Sequence, residues 1–289
     1  GGEDPGGGPM IAPGSAGAGA RPRDFGYCQA RMQARYGERP SPSGWQRLGS
    51  SRDLGRMLEA AHASGLGAWL FHLHEPLGPR SIERGLGRAY SMHVEELSGW
   101  VPEPWAPAFG WLRWLPWLEQ LESLARDASP PIPLEPLGAW LPQAPARALE
   151  RALAADPRAA SEARRSRDPA GALEGAFARI RAGEDAGSAW IAGWHQLRAR
   201  AGRDPALALL QARIGAHREQ MRALPSSASG WPARAALLRV LEDCVRRDAL
   251  RPAAAFAYLG CCLLDLERLR AALLDRALFG ERMGERAWA

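Results

Sequence analysis

The chain has 289 residues, 46% of them hydrophobic, with 37 basic and 32 acidic side chains and a formal net charge of +5. That much apolar material supports a core in one large domain or in two to three small ones. Lys, Asn and Thr are absent, so every basic residue is Arg, and no basic block or binding motif accompanies the positive balance; mixed pairs such as Glu267 and Arg270 along helices argue against nucleic-acid binding.

Residues 1–25 are Gly-rich and acidic at the start, without the basic and apolar regions of a signal peptide. They read as a disordered tail, and the lack of an initiating Met suggests a fragment or a processed chain. A short helix is expected from Tyr27 to Arg35. Another runs from Ser51 to Ala63, with Ser51 as its cap and Leu54, Met57 and Leu58 on its buried face. A third carries Ile82, Leu86, Tyr90, Val94 and Leu97 at spacings of three and four.

The stretch from Trp105 to Arg126 holds Trp105, Trp111, Trp114 and Trp117, with Trp100 just before and Pro116 inside. Pro116 predicts a kink, or a junction of two helices. The tryptophans suit either a partner or membrane-interface surface or a core packed with large rings, and the core is the expectation because buried aromatics are common anchors.

Six prolines between 129 and 146 preclude a regular helix and suit a semi-rigid connector. The polar stretch from Ala155 to Gly171, with Arg164, Arg165 and Arg167, reads as a loop or a solvated helix end. Asp204-Pro205 opens a helix with Leu207, Leu210, Ile214, His217, Met221 and Leu224 on one buried stripe, stopped by Pro225. A weaker break at Pro225–Pro232 precedes a helix from Trp231 to Arg247. The last helix starts near Pro252, presents Leu259, Cys262, Leu263, Leu266, Leu269 and Leu273, and has Gly280 as a natural cap. The divisions are then a tail 1–25, a helical bundle 26–128, a connector 129–146, a second bundle 147–228, C-terminal helices 229–280 and a tail 281–289.

Strand signals are nearly absent, so the fold class is all-α. No apolar run reaches the roughly 20 residues of a transmembrane helix; Ala253 to Leu264 is cut off by Asp265. Cys28, Cys244, Cys261 and Cys262 show no zinc or redox spacing and read as buried small hydrophobes in a reducing compartment. No phosphate-binding loop, dinucleotide fingerprint or nucleophile elbow is present. His72-x-His74 lacks convincing further metal ligands, and His62, His72, His74 and His93 read as ordinary surface or interface residues. His195 and His217 read as packing residues. Glu95, Glu96 and Glu150 read as solvated helix charges, since neighbouring positions do not share a helix face. Neither a metal nor a cofactor is expected.

A phrase repeats at 119–124, 219–224 and 267–272, each time in the second half of an amphipathic helix, which hints at a repeated helical unit. Tyr27-Cys28-Gln29-Ala30-Arg31 with Arg35, then Asp53-Leu54 and Leu58, then Gln120 to Arg126, then Tyr258-Leu259, Asp265-Leu266 and Leu269-Arg270 follow in order. Together they resemble the stalk-seating rotor component of the V-type and A-type rotary ATPases over roughly residues 26–280. Cys262-Leu263 stands where that family has Lys-Glu, Arg268 where it has Asn, and Gln120 where it has another Asn.

The resemblance implies three similar helical bundles in a pseudo-threefold, funnel-like arrangement. It implies a non-catalytic rotor component seating the central stalk on the membrane rotor ring, peripheral on the cytoplasmic face and coupling ATP hydrolysis elsewhere to proton or sodium transport. Its motif positions are Tyr27, Arg31, Arg35, Gln120, Arg126, Tyr258, Asp265, Leu269 and Arg270. Beside it stand a helical scaffold or regulatory interaction module, and a helical enzyme whose site is assembled from distant residues and would show as a deep polar pocket with perturbed titratable groups.

Overall fold

The computed structural model describes residues 25–73, 77–126, 169–199, 201–224 and 230–279, and among them no strand is present. The helices are α1 (Gly26–Gly37), α2 (Pro42–Ser50), α3 (Leu54–His62), α4 (Gly67–Leu70), α5 (Pro79–Ser98), α6 (Ala106–Gly110), α7 (Leu118–Ala125), α8 (Pro169–Arg181), α9 (Ala186–Arg198), α10 (Pro205–Arg222), α11 (Gly230–Arg247) and α12 (Pro252–Phe279). The proline connector, Arg164, Arg165, Arg167, Glu150, His74, Pro225, Gly280 and both tails fall outside the described residues, apart from Phe25 at the edge of the first.

α12 is the axis. Its 28 residues rise roughly 42 Å. Ala253 to Leu259 are all buried, followed by Cys261, Cys262, Leu266, Leu269 and Leu273. A helix apolar on several sides must be enclosed, and α1, α3, α5, α10 and α11 pack around this one. α5 lays the expected stripe of Ile82, Leu86, Tyr90, Val94 and Leu97 against it, each 0–1% exposed. One hydrophobic cluster runs from Phe25 to Leu273 and draws on every described helix.

Four caps set helix starts. The side chains of Ser41, Asp53, Asp185 and Asp204 accept from the backbone N–H of Gly44, Arg56, Ser188 and Leu207, which satisfies donors that a helix start leaves free. Asp53 therefore opens α3, and Ser51 is instead the residue that ends α2. Helix α2, which the residue pattern did not predict, is held at its other end by Arg276 of α12. That buried guanidinium donates to Ser51 O at 3.0 Å and Gly49 O at 3.2 Å, bringing a cation to carbonyls at the negative end of the helix.

The tryptophan-rich stretch is core. Trp105, Trp111, Trp114 and Trp117 are buried, and Trp100 is half-buried. Pro116 lies in a 3-10 stretch, Trp111–Trp117, between short α6 and short α7, as a proline that cannot donate within a helix requires. Trp117 packs closely against Gly87, where a Cβ would stand 2.5 Å from the ring, and donates to Ser91 Oγ at 3.1 Å. Trp111 packs on Gly193 in the same way. Trp111 and Trp190 each donate their indole N–H to the other's carbonyl, at 3.0 and 3.3 Å, and so tie α9 to the 3-10 stretch.

Two further sequence expectations change. α10 is an outer helix: Leu207 and Leu210 reach the core, but Ile214 stays 41% exposed and the rest of the stripe is half-buried. Glu267 and Arg270 do not pair along α12. They bridge outward, Glu267 to Arg234 of α11 at 3.0 Å and Arg270 to Glu83 of α5 at 2.5 Å. The three repeated phrases fall on helices of unlike length: nearly all of eight-residue α7, the end of α10, and the middle of α12.

Candidate functional site

A cleft of about 630 Å³ opens where α1, α4, α5 and α12 meet. Its floor comes from α12, whose Tyr258, Cys262 and Asp265 recur at spacings of four and three and so share a face. α5 contributes Ala89, Met92, His93 and Glu96 by the same rule. Arg35, Glu38 and Arg39 line it from the end of α1, and Trp69 and Phe71 from α4 and the residue after it.

On the floor, the Tyr258 hydroxyl hydrogen-bonds His93 Nε2 at 3.1 Å, with Cys262 Sγ at 3.7 Å from the same nitrogen. The Trp69 ring meets His93 edge-on at 5.2 Å. Burial, helped by the positive charge of Arg35, lowers the His93 pKa to about 4. The imidazole is therefore neutral at pH 7, and His93 belongs to the packed floor rather than to the open surface. Burial pushes the Cys262 thiol up to about 12 and raises the Tyr258 phenol as well. A protonated thiol is a poor nucleophile, so this cluster can hydrogen-bond a guest but is not poised to attack one.

Two ion pairs frame the cleft. Arg39 donates to both carboxylate oxygens of Asp265, at 2.6 and 3.2 Å, and to Glu242 of α11 at 3.1 Å. Burial raises the Asp265 pKa against the pull of Arg39. Arg35 donates to both oxygens of Glu96, at 2.9 and 3.1 Å. The Arg39–Asp265 pair is the fork, two nitrogens on two oxygens, that guanidinium and carboxylate geometry favours, whereas Arg35 reaches both Glu96 oxygens from one nitrogen.

The motif positions separate into four places. Arg35, Tyr258 and Asp265 gather at the cleft. Tyr27 and Arg31 stand on the exposed side of α1, two turns and one turn before Arg35. Leu269 is fully buried, and Arg270 bridges to α5. Gln120 and Arg126 are elsewhere, at α7, which packs against α8: Gln120 Oε1 is buried without a hydrogen-bond partner among the described residues, and Arg126 bridges Glu122 at 2.7 Å.

Arg39, Glu242, Trp69 and His93 escaped the residue pattern. Cys262 lay on the expected apolar stripe, Arg35, Tyr258 and Asp265 were motif positions of the resemblance, and the others arrive through tertiary packing. Glu96 is a paired residue rather than a merely solvated one, and His195 is exposed, with only its edge against Trp194. All four thiols are free and buried, and burial raises each of them. Among the described residues no three His, Cys, Asp or Glu side chains gather to hold a metal, and no helix is long and apolar enough to cross a membrane.

Compared with known proteins, the chain matches no family model, no curated protein and no solved structure.

Proposed function

We propose that the chain is a non-catalytic adapter of a V-type or A-type rotary ATPase, seating the central stalk on the membrane rotor ring at its cytoplasmic face. Three helical bundles in a funnel-like arrangement belong to that reading. The observation that carries it is the division of labour among the motif positions. Tyr258, Asp265, Leu269 and Arg270 lock α12 against its neighbours. Tyr27, Arg31 and Arg35 line up on the outward side of α1. A rotor adapter needs this combination of a stiff close-packed interior and an open side-chain face, and it needs no reactive group.

A tagged copy of the chain, expressed in its native cells and recovered in mild detergent, tests the reading. Stalk and ring proteins of the ATPase should co-purify at fixed ratios. Recovery of the chain without any of them contradicts it.

One observation favours a second reading, a helical scaffold or regulatory interaction module outside any ATPase. The exposed α1 face and the cleft offer aromatic and Arg side chains that would serve any partner of matching shape. The same recovery decides between the two, since a module brings down a different protein.

A further inference from the structure

Tyr27, Arg31, Arg35 and Glu38 follow at spacings of four, four and three and so lie on one side of α1. Trp100, just past the end of α5, and Glu96 and Met92 on α5 stand beside them. The Arg31 guanidinium is 5.0 Å from the Trp100 ring and 5.9 Å from the Tyr27 ring, and the Arg35 guanidinium is 5.9 Å from Trp100. This ladder runs through the Arg35–Glu96 pair into the cleft, where Met92, Trp69 and Phe71 continue it. Tyr27, Phe71 and Met92 are 62%, 76% and 43% exposed, so three of the exposed large hydrophobic side chains among the described residues fall on this strip.

The charges on the strip are not all spent. Arg35 is bound to Glu96, and Arg39 to Asp265 and Glu242. Among the described residues no carboxylate pairs with Arg31 and no cation pairs with Glu38. One unpaired cation and one unpaired anion thus stand about 10 Å apart along the helix, seven residues at 1.5 Å each. Stacking on two rings holds the Arg31 fork in place before any partner arrives, which lowers the ordering cost of binding. Tyr, Trp and Arg are also the residues that dominate interface energies.

We propose that this strip docks an amphipathic helix of a partner protein. The helix carries a carboxylate opposite Arg31, an apolar side chain in the cleft beside Trp69, and an ammonium or guanidinium group opposite Glu38. An anionic lipid surface fits less well. Glu38, Glu96 and Asp265 border the cleft and repel headgroups, and a single unpaired Arg falls short of the basic clusters that bind such membranes. The inference stands on this surface alone, and it holds whether the partner belongs to an ATPase or not.

Fluorescence anisotropy with two labelled helical peptides tests it. Both carry the same Leu and Phe stripe; one has Glu and Lys seven residues apart, the other Lys at both positions. The full chain should bind the Glu–Lys peptide at least roughly tenfold more tightly. Because Arg31 is exposed and bonded to nothing that holds the fold, Arg31→Glu should fold normally and invert the preference. Equal affinities, no binding of either peptide, or a preference unmoved by Arg31→Glu overturns the proposal. So does concentration-dependent dimerisation abolished by Arg31→Glu, which would make a second copy the occupant. Binding to phosphatidylserine vesicles abolished by the same change would make it a lipid surface and overturn the proposal too.

Discussion

The Arg39 guanidinium grips the Asp265 carboxylate through two hydrogen bonds, 2.6 and 3.2 Å long, and so fastens the segment after α1 to the central helix. The Asp265 side chain is 5% exposed, and Glu242 leans on the same guanidinium. Removing the cation leaves two carboxylates together, one of them buried. Arg39→Met is therefore expected to cost about 3–5 kcal/mol in urea unfolding. Arg39→Met combined with Asp265→Leu should recover a large part of that loss, because the stranded charge is gone. A double variant no more stable than the single one would mean that the cost lies in lost packing.

His93 makes stability depend on pH. Its folded pKa of about 4 lies below the ordinary value of 6.5. Above pH 6.5 both folded and unfolded states hold a neutral imidazole, and the group contributes nothing. As the pH falls from 6.5 towards 4, the unfolded chain takes up a proton that the folded chain refuses, so stability is lost across that window. The loss between pH 7 and pH 5 should be roughly 2 kcal/mol. The groups around the ring are Arg35 from α1, Tyr258 and Cys262 from α12, and Trp69 from α4; only Arg35 among them carries charge, and it deepens the effect. Denaturant titrations of the wild type and His93→Gln at the two pH values check this, since the variant should lack that part of the slope.

Arg276 is the clamp on α2. Replacing it with Met keeps most of the buried stem but removes the bonds to Ser51 O and Gly49 O. A loss of about 2 kcal/mol is expected. Hydrogen exchange should accelerate first in α2, because these bonds hold the carbonyls at its C-terminal end. Uniform acceleration across the chain would contradict that local role.

Leu250, in the turn between α11 and α12, has a φ of +65°. A side chain with a Cβ is strained there, and glycine is not. The backbone N–H of Leu250 also donates to Gln29 Oε1 at 3.3 Å, a bond that glycine would keep. Leu250→Gly should stabilise the fold by about 1 kcal/mol, read as a raised melting temperature.

Periodic stripes and proline signals made much of this fold legible. The α5 stripe, the start of α10 at Asp204-Pro205 and the break at Pro116 are as expected, because each rests on contacts within one helix or on one backbone rule. The tryptophans resolved to core for a reason no local pattern carries: Gly87 and Gly193 sit on other helices and make room for their rings. α2 was missed because its Ser41 cap and Trp45 and Leu48 face gave too short a signal, and its far end is satisfied by Arg276, 225 residues away from Ser51. The cleft was half legible. Tyr258 and Asp265 on α12 were named as motif positions, whereas Arg39, Glu242 and His93 join them through long-range packing that only the folded chain displays.

The most direct test of the adapter role purifies the ATPase itself. The intact complex, isolated from the native cells through a tag on a ring protein, should contain this chain at one copy per central stalk by quantitative mass spectrometry, and deleting the chain should separate stalk from ring. An intact, coupled ATPase that lacks the chain would contradict the adapter role.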